Sequence, residues 1–139
     1  MKPAFIYSLK IWLTTLLLTP ALRLLIAWIF NLPTLQFNTS PVTYYLMAVY
    51  AGAIFSIPGA IFLWIFTWQL NQRPISLIKK KLCLSAITFV ETILTFYFVF
   101  WLPKSLADNF IMTLPYCIIA TAGIWFYKLK PAIASQSVI

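Results

Sequence analysis

"VTYYLMAVYAGAIFSIPGAIFLWIFTWQL", residues 42 to 70, runs its whole length without a charged side chain. A bilayer core about 30 Å thick needs about 20 apolar residues in a helix. This stretch is longer than that. Ser40-Pro41 precedes it and reads as an N-cap followed by proline at the first helical position. A segment of this kind asks for lipid, not water, as its solvent.

Three further segments share its character. The first runs from about Tyr7 to Phe30, with Lys10 near its start and Arg23 inside it. Another runs from Leu82 to Leu102, between "KKK" and Pro103. The last runs from about Phe110 to Tyr127, with Asp108 or Asn109 as its N-cap and "KLKP" closing it. The composition agrees, with 63% hydrophobic, 18% aromatic and 9% charged residues. A soluble domain averages about 25% charged residues. The expected fold is therefore an all-α integral membrane protein. Residues 1–139 form a single transmembrane domain, a four-helix bundle spanning about 7–30, 42–70, 82–102 and 110–127, with very short loops. The basic start and small-residue end of "KPAFIYSLKIWLTTLLLTPA" resemble a signal peptide. Apolar character resumes straight after Arg23, so a retained span is expected.

Basic residues orient the bundle. Lys2 and Lys10, then Arg73, Lys79, Lys80 and Lys81, then Lys128 and Lys130 all fall on one side. "NLPTLQFNTSP" has no charge and "PKSLADN" has one of each sign. Both termini are expected in the cytoplasm. Aromatic belts fit this topology, with Trp12, Trp64, Trp68, Trp125 and Tyr127 near the inner interface. Trp28, Tyr44, Tyr45, Tyr97 and Trp101 would line the outer one. A bacterial inner membrane is the default location. The basic rim formed by Arg73, Lys79, Lys80, Lys81, Lys128 and Lys130 follows from topology, and it also suits anionic lipid head groups or an acidic partner. It is too short for nucleic acid, and no nucleic-acid module accompanies it.

Several chemistries are excluded or poorly served. The chain has no histidine and only two acidic residues, so no metal site or cofactor is expected. Cys83 and Cys117 fall at different depths and should be free thiols. Asn38-Thr39-Ser40 matches a glycosylation sequon but is followed by Pro41, and reads as a turn. No catalytic motif is present, and an enzyme is not expected.

Packing signals are clearer. Ala48, Gly52, Ser56 and Ala60 recur at every fourth position, making a flat face for a neighbouring helix. That neighbour could belong to the same chain or to a second copy. Pro20, Pro58 with Gly59, and Pro115 predict breaks within three of the spans. Thr15 and Thr19 lead to Arg23 on the first helix, and Ser85, Thr88, Thr92 and Thr95 accompany Glu91 on the third. Counted from the basic flanks, Arg23 lies about 20 Å deep and Glu91 about 15 Å. An arginine side chain can bridge that offset, so an intramembrane pair of Glu91 with Arg23 is expected. Each charge alone is costly in a bilayer. If they pair, either single substitution should hurt more than the double one.

Two functional classes fit these features. The favoured one is a small non-enzymatic membrane subunit or accessory protein, packing with itself or with a larger membrane complex. The alternative is a small oligomeric transporter or channel in which Glu91, with Arg23, binds a proton, an ion or a cationic substrate.

Overall fold

The structure is a computed structural model, and it describes residues 2–29, 40–99 and 106–129; side chains are described for these apart from residue 99 and residues 106–112. Four helices make up the described chain, with no strand among the described residues: α1 (Lys2–Ile29), α2 (Pro41–Gln72), α3 (Leu77–Val99) and α4 (Leu106–Phe126). Three of them, Lys2–Ile29, Pro41–Gln72 and Leu77–Phe98, are long and apolar enough to cross a membrane. The fourth contributes a shorter apolar stretch, Thr113–Phe126, among the described residues. Trp101, Lys130 and the connections 30–39 and 100–105 lie outside the described residues.

Local chemistry accounts for the described boundaries. The Ser40 hydroxyl accepts from the Thr43 amide at 3.2 Å, and its carbonyl accepts from the Tyr44 amide at 3.0 Å. Pro41, at the first position, sacrifices an amide that would have had no partner. At the other end of α2, Arg73 is extended, at φ −85° and ψ 140°, because Pro74 follows it. Residues 73–76 then turn the chain, and α3 starts at Leu77. The lysine run 79–81 thus belongs to the first turns of α3 and not to a flanking loop, one turn earlier than expected. Likewise α4 starts at Leu106, so Asp108 and Asn109 lie within its first turn instead of capping it.

The prolines expected to kink the spans all lie inside continuous helices. α1 continues through Pro20, α2 through Pro58 and α4 through Pro115. The carbonyl that Pro20 leaves without its helical donor is that of Leu16; on the next residue the Tyr45 hydroxyl of α2 donates to the Leu17 carbonyl at 3.2 Å.

The helices form a closed ring in the order α1–α2–α3–α4, in which α1 and α3 each pack against both α2 and α4. α1 and α3 are therefore diagonal. Neighbours run antiparallel: Ser8 meets Thr67 near one end of the α1–α2 contact, and Leu17 meets Tyr45 near the other. The end carrying Lys2 and Phe126 is called the basal end here, and the opposite end the distal end. A buried cluster of Tyr7, Ile11, Leu63, Leu84, Ile124 and Leu129 closes the basal end. Outside that cluster small apolar residues and polar side chains share the interior, and large apolar side chains face outward. Ser8, Thr19, Thr67, Asn71, Thr88 and Thr113 are buried, while Leu18, Leu25, Phe62, Ile78, Val90 and Ile118 are exposed.

Two lysines of the basic run are also buried, Lys80 at 5% exposure and Lys81 at 9%. Lys80 Nζ donates to the Asn71 carbonyl at 3.4 Å. Lys81 Nζ donates to the carbonyls of Trp125 at 2.9 Å and Tyr127 at 3.2 Å, and sits 5.7 Å from the centre of the Trp125 ring. The last carbonyls of a helix lack amide donors and carry partial negative charge. α3 thus reaches sideways to cap the C-terminal ends of α2 and α4. Of the expected basic rim, Arg73, Lys79 and Lys128 remain exposed. Lys80 and Lys81 are corrected to capping groups inside the bundle.

Candidate functional site around Glu91

Glu91 follows Lys81 by ten residues along α3, about 15 Å of helical rise. It is half-buried and turns toward α2, which neighbours α3 in the ring. There it meets Gly59. A Cβ built on that glycine would overlap Glu91 Oε1, so the carboxyl occupies the space a side chain would otherwise fill. Placing glycine after Pro58 lets the α2 backbone stand directly against an acidic group in the middle of the bundle.

Arg23 is elsewhere. Its guanidinium donates to the hydroxyl of Tyr116 on α4, with Tyr44 of α2 nearby. Among the described residues no ion pair joins Arg23 to Glu91, and no hydrogen bond reaches the Glu91 carboxyl. The expected pair is therefore not formed. Depth alone made it reasonable, but Arg23 and Glu91 stand on the two diagonal helices, and each turns to an adjacent helix instead.

The threonine stripes divide into two groups. Thr15 donates to the Ile11 carbonyl at 2.9 Å, Ser85 to Lys81 at 2.9 Å, and Thr92 to Thr88 at 2.7 Å. These hydroxyls return to their own helix, a common fate where no water is at hand. Thr92 also contacts the Cys117 thiol across the α3–α4 seam. Thr95 is half-buried near the distal end. Thr19 and Thr88 differ from the rest. Both are buried, at 0% and 6% exposure, and the hydroxyl oxygen of each has no partner. Thr88 lies one turn before Glu91 on the same helix.

The small-residue face of α2 is occupied by α1. The Trp12 indole donates to Ser56 at 2.8 Å, and a Cβ on Gly52 would approach Leu16 Cδ1 to 3.0 Å. Ala48, Gly52, Ser56 and Ala60 are all half-covered. The contact is within the chain. It also draws the Trp12 indole onto Ser56, and the indole nitrogen of Trp64 is buried. Sequence reasoning missed Trp12, whose place opposite the flat face was the available signal. Cys83 and Cys117 are free, as expected from their depths. No cluster of three or more metal-ligating Cys, Asp or Glu side chains occurs among the described residues.

The chain matches no protein-family profile, no curated protein and no solved structure.

Proposed function

We propose that this chain is a small integral membrane protein with both termini in the cytoplasm, and that Glu91 binds a proton or small cation carried across the bilayer. The observation that carries this is the placing of the Glu91 carboxyl against Gly59, at mid-helix, with neither ion pair nor hydrogen bond among the described residues. An ionised carboxylate away from water and without a partner is costly, so it takes up a proton or a cation. Ions that come and go can use such a group; a permanent staple would have its counter-charge built in.

The apolar exterior, together with the hydroxyls held inside the bundle, supports the lipid setting. With the exposed Arg73, Lys79 and Lys128 at the basal end, the cytoplasmic side is assigned to that end. Transport is favoured over the subunit role for a specific reason. The subunit role drew on the small-residue face of α2 and on the lysine run as docking surfaces. α1 covers the first, and two of the three lysines are turned into the bundle.

Reaction with dicyclohexylcarbodiimide, which modifies protonated carboxyls in apolar surroundings, tests the site. Mass spectrometry of the reacted full chain should find one adduct, at Glu91, and none in Glu91→Gln. A chain that stays unmodified at Glu91 would refute it.

A further inference from the structure

We infer that the ion held at Glu91 is a partly dehydrated monovalent metal cation of the sodium class, shared between the Glu91 carboxylate and the Thr88 hydroxyl. This rests on Glu91 being the ion site.

Thr88 and Glu91 are three residues apart on α3. Side chains at that spacing share a face, with Cβ atoms about 5–6 Å apart. Their oxygens can therefore converge on one ion. The Thr88 hydroxyl oxygen is enclosed by protein and has no partner, in a residue 6% exposed. Buried polar atoms are nearly always satisfied, and a bound ion is one explanation for an exception; of the orphans, Thr88 is the one a turn away from Glu91. A bound proton needs a single carboxyl oxygen and leaves that hydroxyl as it is. A metal cation needs several oxygens, and the hydroxyl lone pairs of Thr88 are unused one turn away on the same helix.

The available donors select the class of ion. Oxygen ligands without imidazole suit hard cations and disfavour zinc, copper or iron. The chain has no histidine, and the Cys117 thiol is engaged with Thr92 on the α4 side. One carboxylate balances one positive charge. A divalent ion would leave a net charge inside the bundle, which the apolar surroundings penalise. Gly59 contributes room, since its missing side chain leaves the carboxyl its place between α2 and α3.

Radioactive sodium binding to the purified full chain in detergent tests this. Wild-type protein should show one saturable site per chain. Glu91→Gln should abolish it, and Thr88→Val should weaken it at least tenfold. Thr88→Ser, which keeps the hydroxyl, should bind like wild type, which separates loss of a ligand from loss of folding. Absence of saturable sodium binding, or equal binding by Thr88→Val, would overturn the inference. If sodium does not bind while carbodiimide still modifies Glu91, only the metal cation falls and the ion site stands. If neither occurs, both fall.

Discussion

Glu91 and Arg23 show how far a residue's partners depend on which helices are neighbours. Each charge is costly alone, and periodicity placed both on polar faces at compatible depths. The ring order then sent Arg23 to Tyr116 and Glu91 to Gly59. Residues that share no partner have additive effects, within about 0.3–0.5 kcal/mol. The losses of thermal stability in Glu91→Gln and Arg23→Ala should therefore add in the double variant. Thermal unfolding of the solubilised protein measures this, and a coupling well above that margin would restore the pair. Gly59 gives a second test at this scale. A methyl group there overlaps Glu91 Oε1, so Gly59→Ala must displace the carboxyl. Carbodiimide labelling of Glu91 should slow at least tenfold while circular dichroism stays unchanged. Unaltered labelling would show that the glycine does not position the acid.

At the scale of the helix, α3 does more than complete the ring. Its first turns hold the ends of two neighbours through Lys80 and Lys81. Hydrogen bonds to charged groups contribute about 1.5–3 kcal/mol each. Lys81→Met should thus lower stability by at least about 1.5 kcal/mol. Lys79→Met, at an exposed position two residues away in the run, should stay within about 0.5 kcal/mol of wild type. Thermal or denaturant unfolding of both variants checks the contrast, and equal losses would mean that the lysines act only as a surface charge. The run "KKK" could not show this in advance. Composition marks it as a flank, but which lysine turns inward depends on where α3 begins, and apolar content alone places that start at Leu82 instead of Leu77. The cap at Ser40 was legible because its chemistry is local, complete within Ser40, Pro41, Thr43 and Tyr44.

At the scale of the whole molecule, the four helices were legible from length and apolar content, since few other sequences keep charge out for so long. The small-residue face of α2 was legible too, because Gly52 and Ser56 admit a close neighbour whichever helix it is. What periodicity does not carry is the identity of that neighbour. The ring order decides it, and with it the places of Trp12, Arg23 and Glu91. Four crossings, the number proposed, would put both termini on one side. Reporter fusions at residues 1 and 139 should both report the cytoplasm; a split result would remove one span from the account.

The central claim is that Glu91 carries an ion through the bilayer, and flux in proteoliposomes tests it most directly. Vesicles containing the wild-type chain should dissipate an imposed proton or sodium gradient faster than empty vesicles. Those with equally reconstituted Glu91→Gln should fall to the empty-vesicle rate. Equal flux with and without the carboxyl, or no flux above empty vesicles for the wild type, would contradict it.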